Sequence, residues 1–130
     1  MDERVKFNLQ AAEDRLRAAK KLLDDDLIVD SINRSYYAIF YSARALVAKD
    51  KVDFSKHSAV ISYFRQHYIK TGIFDVKFSK YIGDAFTLRN DGDYTYFFET
   101  DKSDAELQYY QAVEFFETIK HYLENIDSGC

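Results

Sequence analysis

At 130 residues, 47% of them hydrophobic, the chain is one domain (1–130) long enough to bury a core. The absence of proline and the presence of only four glycines exclude a loop-rich or all-β architecture and point to an all-α protein. With 18 basic and 22 acidic side chains the net charge is −4, which argues against indiscriminate duplex or membrane binding but leaves room for a local basic groove.

In chain order, Val5, Leu9, Ala12, Leu16, Ala19 and Leu23 alternate spacings of four and three, which predicts a helix from Arg4 to about Leu23 with one apolar stripe. Asp24-Asp25-Asp26 ends it, and Asp26 is the expected cap of the next helix. That second helix reaches about Lys49, is apolar over more of its circumference, and should be the most central. Residues 49–54 read as a polar linker, Ser55 as the N-cap of a third helix, and Lys70-Thr71-Gly72 as its basic end and C′ glycine. A fourth helix is predicted from about Asp75 to Arg89, stopping at Asn90-Asp91-Gly92, with Gly83 marking close helix packing. Residues 93–101 read as an irregular connection containing Tyr94, Tyr96, Phe97 and Phe98. The last helix starts near Ser103, where Ser103 and Glu106 have capping-box spacing. These elements make an up-and-down bundle of four or five helices.

The only cysteine, Cys130, cannot form an intrachain disulfide. The charged start Met1-Asp-Glu-Arg-Val-Lys6 does not resemble a signal peptide, and no apolar run is long enough to span a bilayer. A cytoplasmic protein with no membrane contact is expected.

Function should lie on the second helix, in Arg34-Ser-Tyr-Tyr-Ala-Ile-Phe-Tyr-Ser-Ala-Arg44. Arg34, Tyr37, Tyr41 and Arg44 share one helical face, beside the apolar face of Ile32, Tyr36, Ile39, Ala43 and Leu46. Guanidinium groups and aromatic hydroxyls beside a core must pair with each other, with a ligand or with another subunit. Arg34 and Arg44 either bind phosphate or pair with carboxylates such as Asp30 or Asp84. Tyr37 and Tyr41 either contact ligand or pack with satisfied hydroxyls. Lys56 and His57 fall in the first turn of the third helix, where exposed amides favour an anion. His67 and His121 have no partner at a metal-ligand spacing, so neither a metal nor a cofactor is expected. The stripe of Tyr109, Tyr110, Phe115, Phe116 and Tyr122 divides between core packing and a dimer face.

Four blocks carry a resemblance: Arg34-Ser-Tyr-Tyr-Ala-Ile-Phe-Tyr-Ser-Ala-Arg-Ala-Leu46, Lys56-His-Ser-Ala-Val-Ile61, Ala85-Phe-Thr-Leu-Arg-Asn-Asp-Gly-Asp-Tyr94 and the aromatic final helix. In order and approximate spacing they resemble the HEPN domains, in the small stand-alone branch labelled UPF0332. The resemblance implies a helical bundle, homodimerisation, and association with nucleotides or RNA, often beside a small nucleotidyltransferase. Active HEPN ribonucleases carry an arginine, four to six residues, then a histidine, and two copies meet to cleave RNA without metal. Here the arginine is Arg89, and residues 90–96 contain no histidine. A branch of the family has a longer pattern ending in a tyrosine that the partner transferase adenylylates. Laid on this chain, it puts Tyr94 in the histidine position and Tyr96 in the modified position. An unperturbed tyrosine ionises near pKa ~10, so Tyr94 is a poor general base at neutral pH.

Three readings follow from the resemblance. The first is a nucleotide- or RNA-binding accessory subunit presenting Arg34, Tyr37, Tyr41, Arg44, Lys56, His57, Arg89 and Asp93, with a nucleotidyltransferase partner. The second is a metal-independent ribonuclease toxin of a toxin–antitoxin pair, with Arg89 stabilising the phosphorane and Tyr94 or His57 replacing the missing histidine. The third is a regulatory subunit modified at Tyr96. The missing histidine weighs against an enzyme.

Overall fold

The computed structural model describes residues 1–94 and 101–128, with side chains for 1–88 and 101–126. Five α-helices account for most of them: α1 (Glu3–Asp24), α2 (Ile28–Lys49), α3 (His57–Phe64), α4 (Lys77–Tyr94) and α5 (Lys102–Ser128). The expected all-α bundle is thus present, and none of the described helices is long and apolar enough to cross a membrane.

The predicted stripe of α1 is buried along its whole length, Val5, Leu9, Ala12, Leu16, Ala19 and Leu23 each being at most 8% exposed. It packs antiparallel to α2, as Ser31 Oγ donating to Ala19 O (2.8 Å) near one end and Arg4 Nη2 donating to Val52 O (3.0 Å) near the other require. α2 is the centre of the molecule and touches all four other helices. Its buried set includes Ser31, Ala38, Ser42, Ala43, Ala45 and Ala48, small side chains that let its neighbours approach closely on several sides. α5 runs parallel to α2, with Gln108 near Ile32 and Tyr122 near Lys49. α4 is antiparallel to α5, with Tyr81 Oη donating to Glu114 (2.9 Å) at one end and Leu88 beside Asp104 at the other. The long helices therefore alternate in direction, and α3 is a short insertion between α2 and α4.

Several helix boundaries differ from expectation. Asp26 does not cap α2: it sits at φ 61°, in the left-handed region that a short polar side chain tolerates, whereas an N-cap needs extended backbone. Leu27 occupies the N-cap position, and the Asp26 carboxylate instead accepts from Lys102 Nζ (2.8 Å). Ser55 and Ser103 are not caps either. Lys56 precedes α3 without a side-chain bond, and α5 is capped by Asp101, which accepts from Ser103 Oγ (2.6 Å) and Asp104 N–H (3.1 Å). α4 does not stop at Asn90-Asp91-Gly92 but continues to Tyr94. Those residues cost at most about 1 kcal/mol each in a helix, and extending an existing helix needs no new nucleus. Tyr96, Phe97 and Phe98 lie outside the described residues.

α3 runs into a single π-helical turn, Arg65–Ile69, closed by Lys70 N–H donating to Arg65 O at 2.9 Å. The chain then turns at Gly72, whose φ of +81° is left-handed, as its place after the basic residue predicted. Gly83 is a close approach: a methyl group there would come within 2.5 Å of the Arg65 guanidinium, which is held by Ser79 Oγ (2.9 Å) and Ser79 O (3.1 Å).

Nothing lies within 4 Å of a methyl group built at Gly72, so its substitution tests backbone conformation alone. Gly72→Ala should cost about 1 kcal/mol, read as a lower urea midpoint with an unchanged m-value.

Candidate functional site

The centre of the candidate site is His57, the first residue of α3. Tyr36 is fully buried, and its hydroxyl lies 2.8 Å from His57 Nδ1. Phe40 stacks on the imidazole with ring centres 4.0 Å apart, and Tyr37 meets it edge-on at 5.8 Å. These residues recur on α2 at i, i+1 and i+4, so one stretch of helix supplies the floor and one wall of the pocket for the ring. With Nδ1 held by Tyr36, the orientation of the ring and the state of its other nitrogen, Nε2, are set together. A hydroxyl that donates to Nδ1 leaves the proton on Nε2, and one that accepts leaves Nε2 a base. The N–H groups of the first turn of α3 add a partial positive charge at the same place.

α4 reaches this centre through Phe86, whose ring centre is 6.0 Å from that of Tyr36. Arg89 follows Phe86 by three residues, about one helical turn, on the same side of α4, and Asp93 and Tyr94 occupy the next turn. The backbone thus brings the motif arginine to the end of the bundle where Tyr36 and His57 sit. The side chains of Arg89, Asp93 and Tyr94, and the whole of Tyr96, lie outside the described part of the chain.

The remaining predicted residues are spread along α2. Arg34 is exposed and makes no ion pair with Asp30 or with any other described residue. Arg44 pairs with Asp53 (3.5 Å) rather than with Asp84, whose carboxylate is taken by Lys80 at 2.7 Å. Asp84 is on α4, across the bundle from Arg44, whereas Asp53 lies in the linker beside it. Tyr37 and Tyr41 are half-buried and pack on the core, and Arg15 lies over the Tyr41 ring at 5.1 Å. Lys56 is exposed at the N-cap position. His67 packs on Tyr63 (4.1 Å), and His121 bonds Asn125 (3.0 Å). In the α5 stripe, Phe115 and Phe116 are core and Tyr110 is exposed.

Two features escape the sequence reading. Tyr36 counts there as an apolar-face residue, although a phenol on such a face needs a partner, which was the available signal. The second is a carboxylate cluster at the far end of α2: Asp50 Oδ2 accepts from Tyr63 Oη (2.8 Å) and Tyr68 Oη (2.7 Å), while Lys49 pairs with Oδ1 (3.2 Å). Burial raises the Asp50 carboxyl, but the bonds from Tyr68, Tyr63 and Lys49 outweigh it and hold it below its ordinary value. Burial and the bond to Asp50 push the Tyr63 phenol up to about 12, and the Tyr68 phenol is raised by the same causes. The cluster ties the linker and the π-helical turn to α2.

The chain is a small all-α bundle in which a tyrosine-held histidine lies at the end reached by Phe86 of α4. The family model for the HEPN domain matches residues 5–124, and the chain belongs to that family. It is 35% identical over 127 residues to a Methanocaldococcus jannaschii protein named "Putative toxin MJ0605", covering 95% of this chain and 92% of the relative. A second toxin-named protein of the same organism, MJ0142, is 32% identical, with 93% of this chain and 84% of the relative covered. A UPF0332 protein of Thermotoga maritima is 30% identical, with 94% and 92% covered.

Because the folded-state pKa of Asp50 is depressed, its contribution to stability is complete above the unfolded value of 3.8 and is lost as pH falls through the lower folded value. Asp50→Asn should therefore cost about 1–2 kcal/mol at neutral pH, with the gap to wild type closing below about pH 4. Tyr63 acts in the opposite sense, its contribution being complete below 10.0 and lost as pH rises towards about 12. Urea midpoints measured across pH would show both limbs in the wild type.

Proposed function

We propose that the chain binds a nucleotide or RNA phosphate at the His57 end of α3, as a HEPN-type accessory subunit working with a small nucleotidyltransferase, and that it does so as a homodimer. The Tyr36–His57 bond carries this reading, because a buried phenol that fixes one imidazole nitrogen orients the whole ring towards the occupant of the pocket. A phosphate there meets the imidazole, the first amides of α3 and, from the next turn of α4, Arg89. Isothermal titration with mononucleotides and short RNA should give binding that falls at least tenfold in His57→Ala and Arg89→Ala. No binding of any of them by the wild type overturns the proposal.

A second reading, a metal-independent ribonuclease toxin, is favoured by the same histidine and by the two relatives named as toxins. In this reading the ribose 2′-oxygen attacks the adjacent phosphorus and the P–O5′ bond breaks. His57 Nε2 accepts the 2′-hydroxyl proton, an imidazolium returns a proton to O5′, and Arg89 stabilises the charge on the phosphorane. The histidine absent from the stretch after Arg89 is supplied by α3. RNA incubated with the protein in EDTA should then be cleaved by wild type and left intact by Arg89→Ala and His57→Ala, with Tyr36→Phe slower because Nδ1 is deprived of its partner. Intact RNA with all four proteins leaves binding as the function.

A further inference from the structure

From the edge of the His57 pocket a continuous strip of rings and guanidinium groups runs along the groove between α1 and α2. Tyr37 packs edge-on to His57 and meets Tyr41 at 6.3 Å between ring centres. Arg15 of α1 lies over Tyr41 at 5.1 Å. One turn further along α2, Arg44, paired with Asp53, borders a recess of about 380 Å³ that Glu3, Arg4, Phe7 and Asn8 of α1 complete. From Tyr37 to Arg44 the strip covers roughly 10 Å of helix.

Three observations separate this face from ordinary solvated surface. Arg4 and Arg15 make no ion pair with any described carboxylate: Arg4 donates to the neutral Val52 carbonyl, and the neighbouring acids are engaged elsewhere, Asp2 with Lys51 (3.7 Å), Glu3 with Lys6 (3.7 Å) and Asp14 with Arg17 (3.2 Å). Phe7 is 67% exposed, although α1 has a buried stripe that could have taken an aromatic ring. Asn8, on the wall of the recess, is only 5% exposed; its Nδ2 donates to Arg4 O (2.8 Å), and its Oδ1 has no hydrogen-bond partner among the described residues. Guanidinium groups outside ion pairs and an exposed ring are parts that hold single-stranded nucleic acid, through phosphates and base stacking respectively.

We infer that the α1/α2 groove is a track for single-stranded RNA leading away from His57, with Arg15 and Arg4 on phosphates and Phe7 under a base. The track rests on the proposed nucleotide or RNA binding and extends it, by making the protein prefer an unpaired strand several nucleotides long to a mononucleotide. Specificity for sequence is expected to be weak, because rings stack on any base.

The test is fluorescence anisotropy with a labelled single-stranded RNA of roughly ten nucleotides, within the usual site size of such grooves, beside calorimetric titration with adenosine monophosphate. The variants are Phe7→Ala and the pair Arg4→Gln, Arg15→Gln, with circular dichroism to verify folding. RNA affinity should fall about tenfold in Phe7→Ala. In the arginine pair, the slope of log K against log salt should fall by about 0.7 for each phosphate that is no longer neutralised. Binding of the mononucleotide should be unchanged in both. RNA binding equal to wild type in both folded variants overturns the track and leaves the proposed function standing. A wild type that binds the mononucleotide as tightly as the RNA also overturns it. Failure of the variants to hold an acidic protein partner, with RNA binding intact, assigns the face to protein docking and overturns it too. A wild type that binds neither ligand removes both the track and the function it rests on.

Discussion

The whole arrangement depends on the burial of α2. A helix touched by four others must present side chains small enough for close approach on several sides, and the alanines and serines of α2 do this. Most of the polar side chains buried on it find partners within the protein, Ser35 Oγ being the exception among the described residues. Ser31 and Ser42 bond backbone carbonyls, and Tyr36 reaches out of the core to His57. The candidate site therefore follows from solving a packing problem: the one large polar group on the buried face of the most enclosed helix is satisfied by the first side chain of the next element.

The bundle has two unlike ends. At one, α4 and α2 meet around Tyr36, His57 and Phe86, on the edge of the main apolar core. At the other, Asp50 gathers two phenols and a lysine, with Lys49 also lying over the Tyr68 and Tyr122 rings. The second arrangement is fully paired, as a structural device should be. The first joins an imidazole to a buried phenol and to the rings of Tyr37 and Phe40.

The sequence shows the helices and their buried faces well, because burial imposes a period that survives in every stripe from Val5 to Leu123. It shows the capping side chains poorly. Asp26, Ser55 and Ser103 all have the right chemistry, yet α2 and α3 carry no side-chain cap and α5 is capped by Asp101, a carboxylate facing the positive end of its helix. Where hydroxyl and carboxylate candidates crowd together, backbone conformation decides between them, and composition carries no record of it. For the site, His57 and the Tyr37 face are legible as residue types in a helical register. The Tyr36 bond and the Asp50 cluster are not, since each joins positions that only the fold brings together.

The π-helical turn at Arg65–Ile69 has a consequence for how this region can change over time. It holds one residue more than an α-helical turn, and Tyr68 reaches Asp50 from within it. Removing any one residue there would let the turn relax to ordinary α-helix. Every side chain after the deletion would then rotate by about 100° relative to those before it. Tyr68 would leave Asp50, and the Arg65 guanidinium would fall out of registry with Ser79 and Gly83 on α4. The segment can therefore drift in composition at its exposed positions while its length stays fixed, so that length rather than identity is the inherited trait.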